Sequence, residues 1–130
     1  MNRPQSVLIV DRSEETREVL ATVLGRRGVR TLSAAGGPQG LRLARDHHPD
    51  LIVLDLELFE VAGGDEGLSA EFAEQSRSDR APLVLLGTAR RSSPPLSEGE
   101  FVSKPYHYAP LIRKIEELLS RPVASRAEVA

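Results

Sequence analysis

Three uninterrupted apolar runs constrain this chain more than any other feature: residues 7–10 (Val-Leu-Ile-Val), 51–54 (Leu-Ile-Val-Leu) and 83–86 (Leu-Val-Leu-Leu). Each is too short for a helix that buries one stripe and lacks the alternation of a strand with one wet face. Such runs suit strands buried on both sides, the situation of a parallel sheet. A shorter run, Phe101-Val102, and a weaker candidate at residues 29–34 extend the series to five. The intervals leave room for helices, so the pattern predicts βαβ units with right-handed crossovers and a sheet covered on both faces.

The intervals carry helix punctuation. Ser13 is placed to cap a first helix, with Glu14 and Glu15 in its positive first turn and Val19, Leu20, Val23 and Leu24 at helical spacing; Gly28 is its stop. Pro38 opens a second helix that buries Leu41 and Ala44 and ends before Pro49. A third runs from about 65 to 78. In the last, Leu111, Ile112, Ile115, Leu118 and Leu119 form one stripe before Pro122. His47 and His48 fall at the end of the second helix, where exposed carbonyls favour a cation. Between Thr88 and Glu100 the consecutive serines and prolines of residues 92–95 disfavour a helix, so a loop is predicted between the last two strands.

Length and charge narrow the classes of function. The 130 residues suit one domain, predicted over 1–120, with 121–130 a flexible tail. A formal net charge of -2 and an aromatic content of 4% give no basis for direct nucleic-acid binding. The absence of cysteine excludes disulfides and thiolate metal sites and suits a reducing compartment, so a cytoplasmic protein is expected. No apolar run approaches the roughly 20 residues of a membrane span.

In an open parallel sheet, working residues gather beyond the carboxyl ends of the strands. Asp11 follows the first run, Asp55 ends the third strand, and Lys104 follows the last and precedes Pro105. Two carboxylates and an ammonium thus converge on one edge. Through residues 7–11, 50–55 and 101–105 the chain resembles the receiver domains of two-component response regulators over about residues 5–120. The resemblance implies a flavodoxin-like, doubly wound five-stranded parallel sheet of order 2-1-3-4-5, with the helix between strands 4 and 5 missing here or reduced to a loop. It further implies Asp55 as phosphoacceptor, Lys104 as partner of a phosphoryl oxygen, Asp11 as a holder of Mg2+ and Phe101 as the aromatic that changes rotamer on activation. A sensor histidine kinase or phosphotransfer protein would supply the phosphoryl group, and a separate protein would be the target.

The sequence also departs from that pattern. Receivers carry two adjacent acids after the first strand, whereas Arg12 follows Asp11. A cation there opposes Mg2+, and Glu57 is placed either to complete an acidic pocket with Asp11 and Asp55 or to pair with Arg12. The expectation is an Arg12–Glu57 ion pair that fills part of the metal site and leaves Mg2+ weakly held or absent. The glycine-rich segment after Asp55 suggests a mobile loop, with Phe59 or Val61 either over the site or anchoring the loop. Counting from Pro82 puts Gly87 where receivers have a hydroxyl, so Thr88 serves only if the register shifts by one.

Two functions remain open at this point: a phosphoaccepting single-domain receiver, and a phosphorylation-independent pseudo-receiver acting as an interaction module. Homodimerisation is open as well. Asp55-Leu56-Glu57 is similar to the nucleophile loop of aspartate-dependent phosphatases, but that pattern has Asp where Glu57 stands; the chain is read as a non-enzyme. His107 is read as a surface or packing residue.

Overall fold

The computed structural model describes residues 3–59, 66–88 and 99–121. Five strands, β1 (Ser6–Val10), β2 (Arg30–Ala34), β3 (Leu51–Asp55), β4 (Leu83–Gly87) and β5 (Glu100–Ser103), form one sheet of order β2-β1-β3-β4-β5. All four pairings are parallel. The helices are α1 (Glu14–Arg26), α2 (Gly37–His47), α3 (Glu66–Asp79) and α4 (Tyr108–Leu119), with a 3-10 turn over Leu56–Phe59. This is the doubly wound, flavodoxin-like arrangement expected from the sequence.

Strand period two decides which helix covers which face. Val7, Ile9, Leu51, Val53, Val84 and Leu86 point to the side covered by α1 and α4, where they meet Leu20, Leu24 and the α4 stripe. Leu8, Val10, Ile52, Leu54, Leu83 and Leu85 point the other way, onto Leu41 and Ala44 of α2 and Leu68 and Phe72 of α3. β3 and β4 are buried along their whole length, which is why their sequences do not alternate. β2 and β5 form the edges and are only partly covered.

Helix ends follow the punctuation. The Ser13 hydroxyl accepts from the backbone N–H of Thr16 at 3.2 Å and caps α1. Gly28, at φ 83, leads out of that helix in a conformation that costs other residues strain. Pro38 lies in the first turn of α2, and His48 ends it in the left-handed region. Gly40 of α2 faces β1 so closely that a Cβ would stand 2.7 Å and 2.9 Å from the methyl groups of Val10. The helix therefore lies tight on the sheet just below the residue that precedes Asp11.

The expected loop between β4 and β5 falls largely on residues 89–98, outside the described residues, as do the glycine-rich stretch 60–65 with Val61 and the predicted tail beyond Arg121. Among the described residues no helix is long and apolar enough to cross a membrane.

Candidate functional site

Parallel register brings the chemistry to one edge. Val10 pairs with Leu54 and Asp55 with Leu86, so the residue after β1 and the last residue of β3 emerge side by side. Gly87 pairs with Ser103, which sets Lys104 at the same level. The Gly87 carbonyl accepts from the Lys104 backbone N–H at 2.8 Å, and the Lys104-Pro105 peptide is cis.

Asp55 and Asp11 are each only 2% exposed. Oδ1 of Asp55 accepts two bonds, from Lys104 Nζ at 2.9 Å and from the Glu57 backbone N–H at 3.0 Å. Oδ1 of Asp11 accepts from the Ser13 N–H at 2.8 Å, while Oδ2 of Asp11 is buried without a hydrogen-bond partner. A buried carboxylate oxygen left unpaired is costly, and it marks the pocket as built for charge rather than packing.

Burial pushes the Asp11 carboxyl above its ordinary value. The Ser13 N–H and the charge of Lys104 oppose this, and the neighbouring Asp55 reinforces it. Burial pulls the Lys104 ammonium down, but its hydrogen bond to Asp55 and the charges of Asp55, Glu57 and Asp11 outweigh that pull. Its net displacement is upward. The site thus holds an anion-rich floor with one firmly protonated lysine across it.

Arg12 does not enter the floor. Its guanidinium donates to Oε1 of Glu57 at 3.0 Å, while Oε2 of the same carboxylate faces Lys104 Nζ at 3.6 Å. Arg12, Glu57, Lys104 and Asp55 therefore form one continuous alternation of charge. Its outer link is exposed, the Arg12 side chain by 55%, and a pair of that kind is worth no more than about 1 kcal/mol. The inner link, on a buried carboxylate, is the stronger one.

Of the two placements the sequence left open for Glu57, the structure has the pair with Arg12, the second oxygen facing Lys104. Mg2+ demands a near-octahedral set of oxygens. The orphaned Asp11 oxygen beside Asp55 would suit a cation, yet among the described residues no group of three or more His, Cys, Asp or Glu side chains could hold a metal ion.

The remaining expected site residues sit around this centre. Thr88 is exposed, one residue beyond β4, and no hydrogen bond ties its hydroxyl to Asp55. At Gly87 an added Cβ would meet Leu56 Cδ1 at 3.2 Å and Phe101 Cε1 at 3.4 Å, so two hydrophobic side chains border this position. Phe101 is partly buried against the α2/α3 side of the core. Phe59 packs edge-on to Phe72, with ring centres 6.1 Å apart, and anchors the turn after β3 rather than covering the site. His107 occupies the cap position of α4 without a side-chain capping bond. Sequence reasoning missed Arg17, whose Nε donates to the Asp11 carbonyl at 3.0 Å; a long cation in the first turns of the helix after Asp11 was the available signal. It also missed the pairing of His48 with Asp79, 3.1 Å apart.

Residues 7–116 match the response regulator receiver domain family. The chain belongs to this family. This receiver is 33% identical over 122 residues to the transcriptional regulatory protein AfsQ1 of Streptomyces coelicolor, an alignment covering 89% of this chain and 52% of the relative. It is 39% identical over 59 residues to the polar-differentiation response regulator DivK of Brucella ovis, covering 45% of this chain and 48% of that one. The matches thus span about half the length of these relatives. Among solved structures, the receiver superposes on the Vibrio cholerae chemotaxis protein CheY4 with a TM-score of 0.71 at 21% identity, covering 89% of this chain and 99% of that one. A two-component response regulator from Clostridium difficile gives 0.71 at 19% identity, covering 90% and 97%. These structures share the fold. Membership of the family places the receiver in two-component signalling.

Proposed function

We propose that residues 1–120 act as a response-regulator receiver that accepts a phosphoryl group on Asp55 from a sensor histidine kinase or phosphotransfer protein and passes the signal on to a protein target. The observation that carries this reading is Lys104 Nζ, 2.9 Å from the buried carboxylate of Asp55. A carboxylate oxygen attacks phosphorus, the bond to the donor's leaving group breaks, and the lysine is placed to pair with the oxygens that arrive. In this reading Phe101 responds to the modification, Thr88 supplies the hydroxyl only with a register shifted by one residue, and the protein relays signals in the cytoplasm rather than turning over a small substrate. Mg2+ in this reading is held weakly or not at all: Asp11 and Asp55 are the carboxylates that would hold it with water, and the cation of Arg12 stands beside Asp11 where the receiver pattern has a second acid.

The test is intact-mass measurement of the full chain after incubation with acetyl phosphate, with Mg2+ and with EDTA, beside Asp55→Asn. A phosphoryl adduct absent from the variant supports the reading. A second reading, a phosphorylation-independent pseudo-receiver, is favoured by the Arg12–Glu57–Lys104 chain that already balances the pocket. No adduct in either buffer would select it.

A further inference from the structure

We propose that Glu57 is a tethered stand-in for a tetrahedral oxyanion: its carboxylate occupies a two-cation clamp formed by Arg12 and Lys104, and a phosphoryl group or free phosphate arriving beside residue 55 displaces it without a divalent cation. For the phosphoryl group the proposal rests on the phosphoacceptor reading of Asp55; for free phosphate it does not.

The geometry is that of an occupied anion site. The two oxygens of one carboxylate face two different cations, Oε1 toward Arg12 at 3.0 Å and Oε2 toward Lys104 at 3.6 Å. Neither contact needs Glu57 in particular; each needs an anionic oxygen at that spot. A phosphoryl dianion brings more charge and three acceptor oxygens, and a guanidinium fork matches such oxygens in pairs. Glu57 holds its place through contacts that water reaches, with Arg12 55% and Glu57 27% exposed, so it is an exchangeable occupant. Its backbone is not: the Glu57 N–H is bound to Asp55 Oδ1, so the side chain can swing away while the turn stays in place. Arg12 then supplies the positive charge that a metal would otherwise bring to this edge.

The test separates the clamp from phosphorylation by using the full-length Asp55→Asn chain, whose amide cannot be phosphorylated and which lacks one repelling charge. Inorganic phosphate is titrated in EDTA at constant ionic strength while NMR follows the Glu57 carboxyl carbon and the Arg12 guanidinium. Expected is a saturable shift, with the Glu57 signal moving to that of a solvated carboxylate. Adding Glu57→Gln tightens phosphate by about fivefold, the worth of one exposed ion pair, and adding Arg12→Gln abolishes saturation. Backbone amide shifts report that each variant stays folded. A folded protein without a saturable shift, binding that survives Arg12→Gln, or binding that requires Mg2+ would each overturn the proposal. Failure of the acetyl phosphate experiment alone would overturn only the phosphoacceptor reading.

Discussion

The ring of Phe101 on β5 reaches within 3.4 Å of the point where a Cβ on Gly87 would stand, and Leu56 closes to 3.2 Å from another side. β4 therefore ends in glycine where a hydroxyl-bearing residue would be expected, with two apolar side chains beside the space. Gly87→Ser sets the removal of glycine's backbone freedom, worth about 0.5–1 kcal/mol, against the few tenths of an ångström that Leu56 must yield, so the urea midpoint should fall by the equivalent of no more than about 1 kcal/mol at unchanged slope. A larger fall would mean that Leu56 cannot yield.

Lys104→Met removes the ammonium that pairs with a carboxylate 2% exposed. With the lysine itself 22% exposed, water recovers part of the loss, and a destabilisation of about 1–3 kcal/mol is expected at neutral pH. The linkage has a definite sign. The folded protein holds the Lys104 proton more tightly than the ordinary value of 10.5, so its contribution is complete below about that pH and is lost as pH rises through the folded value. Stability measured against pH should fall on this alkaline limb in the wild type and lack that component in Lys104→Met.

Asp11 works in the opposite sense. Its folded pKa lies above the ordinary 3.8, so the folded state binds its proton more readily than the unfolded chain does. Stability from this group is present at low pH and declines as pH rises from 3.8 through the folded value. Asp11→Asn keeps an oxygen for the Ser13 N–H and removes the charge. It should therefore be more stable than the wild type at neutral pH, with the difference shrinking as pH falls toward 3.8. A variant less stable than the wild type at pH 7 would contradict this.

Gly40→Ala sets two effects against each other. Alanine gains up to about 1 kcal/mol of helix propensity, but its methyl would stand 2.7 Å from Val10 and 3.3 Å from the Phe72 ring, both fully buried. Overpacking of a filled core costs typically 1–3 kcal/mol, so the net effect should be destabilising by about 1 kcal/mol in thermal or urea unfolding.

Much of this architecture is legible before any coordinates. Uninterrupted apolar runs specify β1, β3 and β4 because strands covered on both sides have no wet face to record, whereas the edge strands β2 and β5 carry weaker signals for the opposite reason. Asp11, Asp55 and Lys104 are legible as a group because parallel strands deliver their ends to one edge. The Arg12–Glu57 pair could be anticipated from a missing acid and a spare one. The approach of Lys104 to Glu57, the unpartnered Asp11 oxygen and the reach of Arg17 could not, since they depend on rotamers and depth rather than on order along the chain. Gly87 could be placed by counting from Pro82, but its neighbours Leu56 and Phe101 come from other segments.

Gly40 leaves α2 and β1 separated by little more than a hydrogen atom at Val10, the residue covalently joined to Asp11. That contact acts as a machined stop. It fixes the height at which the first carboxylate emerges, so the charged layer above can exchange partners while its foundation keeps a tolerance finer than a methyl group.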